Sequence, residues 1–352
     1  MFTHITLKNY KSLVDFDAKL TDKMIIVGNP SIGKTNFIDS LYTLGYLTYY
    51  NGNFKRKTQF KKFVISCKTL NSKGDNILLS YTFIIDNKKY IYTIVIDDTK
   101  IINEVLKYND EVYFNVTSNN VIINRDILID DGYYSIIMDN YNKHWGYNTI
   151  LSIISKDIIF KSNSINNFIK PTIIKIVKYL NKFSLKNSYD FISGWISKDK
   201  ENKLDKWEFY LNSILVALYA DIKEVYYSKM LSNDTIIYNL YIKKLLGGKI
   251  FNIPAYKESR GTKLIIDVLS KILHSFKNHM FILDDFSDNI HDLLTSKLIY
   301  NYFEQFLGQA IIITNKMDIK SDNIDIIDFI DKYLYKLIKN DTGNKTIIKV
   351  VK

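Results

Sequence analysis

The sequence predicts an α/β protein in which mixed β-sheets carry a glycine loop and are interrupted by a mostly helical insertion. Three observations predict it. The apolar run Met24-Ile25-Ile26-Val27 leads into Gly28-Asn29-Pro30-Ser31-Ile32-Gly33-Lys34-Thr35, which fits the phosphate-binding pattern G-x-x-x-x-G-K-[ST]. Two later apolar runs, Met280–Leu283 and Ala310–Ile313, end in polar residues, as buried strands do at a ligand edge. Runs with strand alternation stand on either side of a stretch with apolar residues at helical spacing, roughly residues 130 to 230.

Residues 1–27 begin with Phe2-Thr3-His4-Ile5-Thr6-Leu7, which alternates apolar and polar and reads as a strand; a second strand follows a turn. His4 has no second ligand-type neighbour and reads as a strand residue, not a metal ligand. After the glycine loop, Phe37, Ile38, Leu41 and Leu44 have helical spacing. Strand, loop and helix together aim backbone N–H groups and a helix N-terminus at phosphate. Gly28, Asn29, Ser31, Gly33, Lys34, Thr35 and Asn36 are therefore the candidate nucleotide-binding residues. Lys34 is placed to reach the β- and γ-phosphates, and the Thr35 hydroxyl to sit on Mg²⁺.

Asn53–Lys62 holds five basic residues in eight positions and reads as a solvated loop. Ile77–Ile85 and Tyr90–Ile96 flank Asp86-Asn87-Lys88-Lys89, a hairpin signal. Ile165–Leu185, Tyr189–Ser197 and Lys203–Tyr227 read as helices, with Pro171 starting or interrupting one. Thr235–Lys243 and Lys249–Ile253 form a second hairpin signal through Gly247-Gly248, and Tyr333–Lys339 with Lys345–Val351 a terminal one. The expected division is residues 1–125, a first half with the glycine loop; 126–232, the insertion; and 233–352, the second half.

Composition bounds the rest. A hydrophobic share of 47% over 352 residues supports a substantial core. No apolar run approaches the ~18 residues of a membrane span. The N-terminus lacks a signal-peptide layout, and the single Cys67 fits a reducing cytoplasm, the expected location. The net charge of +11 admits a nucleic-acid partner, but all except Arg56, Arg125 and Arg260 of the 48 basic residues are lysines. With isoleucine, asparagine and tyrosine also abundant, that pattern equally suits the codon choice of an AT-rich genome.

The second half carries the remaining chemistry. Asp284 ends an apolar strand, where a carboxylate beside a phosphate loop binds Mg²⁺, and Asp285 is then placed to polarise an attacking water. Glu258-Ser259-Arg260-Gly261-Thr262 opens an amphipathic helix. It reads either as a second phosphate-binding N-terminus or as a capping serine, and the two can coexist.

In this order the motifs resemble the ABC-type ATPase heads of the SMC/RecF/OLD group, among them the stand-alone ATPases of abortive-infection and phage-defence systems. The resemblance runs from Ile5–Ser12 to the final hairpin, and includes Tyr90-Ile91-Tyr92, Ile102-Asn103-Glu104, Leu283-Asp284-Asp285 and Asn289-Ile290-His291. It implies that two protomers dimerise around ATP and Mg²⁺. Gly28 to Asn36 hold the nucleotide in one, and Ser259, Arg260 and Gly261 form the signature segment that meets the γ-phosphate from the other. It implies Thr35 and Asp284 as metal-serving residues, Asp285, Lys34 and Asn315 as catalytic ones, and His291 near the dimer interface.

Two departures stand out within it. Asp285 replaces the usual glutamate, and a carboxylate displaced by roughly an ångström can cost about a hundredfold in rate. Asn315 stands where a γ-phosphate-sensing histidine is usual; it can donate a hydrogen bond but carries no proton. Slow hydrolysis is expected. Gln59 is the candidate for the group's glutamine loop.

The expected function is an ATP-binding, slowly hydrolysing ATPase that forms a homodimer or higher homo-oligomer around nucleotide and acts as sensor and regulator of a separate effector protein in anti-phage defence. The alternatives are a RecF-like DNA-binding repair ATPase and an ATP-bound scaffold without turnover. No membrane role is expected. After residue 320 come aspartates at 322, 325, 328 and 331, spaced as the polar side of a helix, then a short hairpin, so effector chemistry is expected from another chain.

Overall fold

The computed structural model describes residues 1–49, 57–68, 75–109, 111–117, 119–124, 134–135, 137–139, 146–160, 170–181, 193–194, 204–232, 235–275, 280–284, 308–314, 324–340 and 345–351. Two compact units emerge. One joins Met1–Lys186 to Leu334–Lys352, and the other is Asn187–Tyr333.

The first unit is built on a mixed sheet. Its strands are β1 (Phe2–Tyr10), β2 (Leu13–Lys19), β3 (Lys23–Val27), β4 (Ile77–Ile85), β5 (Lys88–Ile96), β6 (Ile101–Tyr108), β7 (Glu111–Thr117) and β8 (Val121–Ile123). The pairing along β2–β1–β4–β5–β6–β7–β8 is antiparallel throughout. The β4–β5 hairpin turns on Asp86 and Asn87 alone, at φ 49° and 61°, the left-handed pair that a two-residue hairpin loop requires. The terminal hairpin, β15 (Leu334–Lys339) and β16 (Lys345–Val350), inserts between distant strands: β15 runs parallel to β3, and β16 parallel to β2. The order β3–β15–β16–β2 places the strand before the glycine loop beside the end of the chain.

The described helices that support this unit's sheet are α1 (Lys34–Thr48), α2 (Lys57–Cys67), α3 (Ile150–Phe160) and α4 (Pro171–Asn181). Helix α4 starts on Pro171, whose fixed φ and missing N–H suit a first turn. It buries Ile173, Ile176, Val177 and Leu180, the spacing seen in the sequence. Tyr179 joins an aromatic cluster, with ring centroids 5.5 Å from Phe2 and 5.7 Å from Phe83. The expected solvated loop at residues 53–62 is, from Lys57 onward, helix α2. Phe60, Val64 and Cys67 form its buried stripe, while Gln59, Lys61 and Lys62 face solvent. The basic residues concealed an apolar spacing of four and three.

Helix α1 is held to the sheet from below. The Tyr81 hydroxyl donates to the Ser40 carbonyl at 2.7 Å, and the Tyr10 and Thr43 hydroxyls share a 2.8 Å bond. Burial pushes both phenols far above their ordinary range, so they stay neutral. At its far end the Leu47 carbonyl accepts from Thr149, which also caps α3 through the Ser152 amide. The first amides of α3, from Ile150 and Leu151, donate to Glu104, which also takes the Tyr92 hydroxyl. Glu104 is fully buried, and desolvation pushes its carboxyl up to about 7 despite those three bonds.

The second unit contains a small antiparallel sheet, β10 (Ile222–Ser232), β11 (Thr235–Leu246) and β12 (Lys249–Pro254), with β9 (Ser193–Gly194) pairing on β11. Gly247 and Gly248, at φ 56° and 80°, close the β11–β12 hairpin as expected. The helix read over residues 203–227 ends earlier: α5 (Leu204–Leu218) gives way to β10 at Ile222. Val225 is buried and Tyr226 half-exposed, a strand alternation that overrides the helical one. Asn212 and Glu208 of α5 accept the Val225 and Tyr227 amides, which covers the edge of β10. Helix α6 (Arg260–Ser275) follows, then the parallel pair β13 (Phe281–Leu283) and β14 (Ala310–Thr314), and α7 (Ile324–Tyr333). No helix among the described residues is long and apolar enough to cross a membrane.

Candidate functional site

The glycine loop has the geometry that its sequence demands. Ser31 sits at φ 63° and Gly33 at φ 110°. The φ of Gly33 calls for glycine, and a Cβ there would also lie 2.6 Å from Leu13 Cδ2 and displace that side chain. Gly28 is confined too: an added Cβ would stand 3.1 Å from the Leu337 carbonyl oxygen. Gly33 is the N-cap of α1 and no side chain bonds the cap. A glycine cap leaves this start of a 15-residue helix without a capping side chain, and the positive end of a helix attracts an anion.

Lys34 is 5% exposed, and its ammonium donates to the Gly28 carbonyl at 2.6 Å and the Asn29 carbonyl at 2.9 Å. Its positive charge is therefore held inside the loop, beside the helix N-terminus. Thr35 follows with its side chain exposed, as a hydroxyl offered to a ligand must be. Asn36 donates to the Ser12 hydroxyl at 2.6 Å.

That last bond shows residues that the motif search missed. The β1–β2 turn packs on the loop: Leu13 meets Gly33, Ser12 meets Asn36, and Lys11 pairs with Asp39 of α1 at 2.7 Å. Asn9 and Lys11 hold left-handed φ values of 54° and 51°, and Asn9 was the readable signal for such a turn. A cavity of about 450 Å³ opens on another side of the loop, lined by Asn29, Pro30, Ser31, Ile32 and by Lys336 to Lys339 of β15. Only the pairing of β15 with β3 brings those lysines there, and no local pattern announced it.

In the second unit, Ser259 is the N-cap of α6. Its hydroxyl accepts the Thr262 amide at 3.2 Å and lies 2.9 Å from the Thr262 hydroxyl; its carbonyl accepts the Lys263 amide at 3.0 Å. The capping reading therefore holds, and Ser259 and Arg260 are also exposed at the helix start. Asp284 follows β13 directly and is exposed. Asp285, His291 and Asn315 lie outside the described residues. His4 pairs with Asp17 at 2.9 Å across β1 and β2, and among the described residues no three His, Cys, Asp or Glu side chains gather as a metal cage.

The loop residues by themselves fit the phosphates of a nucleoside triphosphate with a divalent cation: backbone donors, one buried ammonium and the exposed hydroxyl of Thr35.

No protein-family model matches the chain, and no curated protein sequence matches it. Solved structures do match in shape. An Smc head bound to the C-terminal winged-helix domain of ScpA superposes with a TM-score of 0.55 at 15% identity, covering 99% of this chain and 97% of that one. The SMC head domain from Thermotoga maritima gives 0.50 at 12% identity, over 100% and 99% of the two chains. An Smc head with an extended coiled coil, bound to the C-terminal domain of ScpA derived from Pyrococcus furiosus, gives 0.50 at 14%, over 99% and 96%. The likeness shows the fold: this chain has the ABC-type ATPase head architecture, with its large mixed sheet.

Proposed function

We propose that the protein is an ATPase whose two copies close around ATP. The observation that carries the reading is the loop itself: a buried lysine enclosed by the Gly28 and Asn29 carbonyls, at the start of a helix with no side-chain cap, in an SMC-head fold. The loop amides and Lys34 bind and orient the β- and γ-phosphates. Thr35 and Asp284 serve Mg²⁺, which when bound offsets phosphate charge. Asp285 orients the attacking water and takes its proton, and Asn315 donates a hydrogen bond toward the γ-phosphate. Ser259, Arg260 and Gly261 of the second copy complete the site, with His291 near the contact between copies.

The finer reading is a regulator of a separate effector protein in anti-phage defence; its support is the motif resemblance. Smc heads bound to a domain of ScpA lend support to a protein partner. A net charge of +11 favours a second reading, in which the closed dimer binds DNA. It predicts affinity that falls steeply with salt and depends on ATP.

The test is steady-state ATP hydrolysis and nucleotide binding in wild type, Lys34→Ala and Asp285→Ala. The reading expects slow turnover that both substitutions abolish, with binding lost only in Lys34→Ala. Wild-type turnover that survives Lys34→Ala would overturn it.

A further inference from the structure

Behind Ser259 stands a buried ion pair that no motif describes. Glu258 has a side chain only 4% exposed, and its Oε2 accepts from the Lys244 ammonium at 2.9 Å. Lys244, 15% exposed, also lies 3.4 Å from Asp221 Oδ2. The same Oε2 accepts the Ser259 amide at 3.4 Å. Lys244 projects from β11, opposite a bulge in β10 between Ile222 and Glu224, and the Leu245 amide donates to the Asp221 carbonyl at 2.8 Å. The start of β10, the C-terminal end of β11 and the signature segment are thus joined through one ammonium.

Burial alone would push the Lys244 ammonium down, yet its bonds to Glu258 and Asp221 leave it raised, so the charge is kept. The other carboxylate oxygen, Oε1, is buried with no hydrogen-bond partner among the described residues. A half-satisfied buried carboxylate is a poor device for stability alone, because hydrophobic residues of similar volume are commonly as good. What the arrangement does provide is direction: it fixes the backbone of residue 258, and through it the orientation of the Ser259 cap.

We infer that Lys244 and Glu258 are positioning residues, which hold the signature serine of one copy in register for the γ-phosphate bound by the other. This rests on the clamp reading above. It gives the small β10–β11–β12 sheet a role in closure, since a displacement of β11 moves Lys244 and with it Ser259.

The experiment measures ATP-dependent dimer mass, kcat and monomer nucleotide affinity for Glu258→Gln, Lys244→Arg, Ser259→Arg and the double variant Lys244→Met/Glu258→Leu. Glu258→Gln should lose dimer formation and kcat by about tenfold or more, since small misplacement suffices, while nucleotide affinity, set by the other unit, holds. Lys244→Arg, which keeps the charge, should retain the clamp. The double variant should regain melting temperature but not dimer formation, because an apolar pair restores packing without aiming Ser259. Recovery of both in the double variant would reduce the pair to a structural role and overturn the inference. So would normal closure in Glu258→Gln alongside its loss in Ser259→Arg. Normal closure in Ser259→Arg itself would instead overturn the clamp reading.

Discussion

The two segments that this account assigns to phosphate are built by different means. The loop at Gly28–Thr35 is shaped by backbone: a Gly33 held at a left-handed φ, a Gly28 with little room for a Cβ, a helix start without a side-chain cap, and a lysine folded onto the carbonyls of its own loop. The segment at Ser259 is shaped by side chains: a serine cap, and a glutamate held by a lysine fourteen residues earlier on β11. Backbone-built sites fail abruptly when a single Cβ is added. Sites held by side chains loosen by degrees and can be tuned from a distance.

The largest effect should therefore come from Gly33→Ala. It combines φ 110° with a Cβ 2.6 Å from Leu13, and the left-handed strain alone costs of order 1–3 kcal/mol. Urea unfolding should show a total loss of about 3 kcal/mol or more, together with loss of nucleotide binding. A stable Gly33→Ala protein that still binds ATP would break the contrast.

The second test concerns the support beneath the loop helix. Glu104 titrates near 7 in the folded protein against 4.5 when exposed. A raised carboxyl contributes stability that is fully present below 4.5 and is lost as pH rises through about 7. The expected decline is about 3 kcal/mol at most between these limits, and Glu104→Ala should remove the slope. A stability profile of wild type that stays flat across this window would contradict the assignment.

Smaller still is Ser259→Ala, which removes a cap worth about 1 kcal/mol. Ser259→Asp should recover that stability, since aspartate caps as well, yet fail in ATP-driven closure, because its charge repels the γ-phosphate. Thermal melts and dimer mass read the two effects separately. The smallest change should come from Lys11→Ala. The Lys11–Asp39 pair is about 30% exposed on both sides, so solvent screening holds its worth below about 1 kcal/mol.

The same contrast explains what the sequence made legible. Gly28, Gly33 and Lys34 were readable because their roles follow from local backbone demands. The three hairpins were readable because their turns carry Asp-Asn or Gly-Gly signals or link adjacent runs. The insertion of β15 and β16 between β3 and β2 was not readable, since it depends on pairing across more than 300 residues. Neither, for the same reason, were Lys336 and Lys339 beside the loop. Helix α2 was concealed by its own lysines, and α5 was drawn too long because Val225 and Ile222 fit either period until the β11 ladder decides between them. The Lys244–Glu258 pair left no local mark.

The most direct measurement mixes two inactive proteins, Lys34→Ala and Ser259→Arg, and assays ATP turnover. In a closed dimer of one copy of each, the intact loop of the Ser259→Arg copy faces the intact signature segment of the Lys34→Ala copy. Each protein alone should be inactive, and the mixture should regain turnover together with ATP-dependent dimer mass. A mixture as inactive as its components, made from folded proteins, would contradict closure of one copy's loop on the other's signature segment.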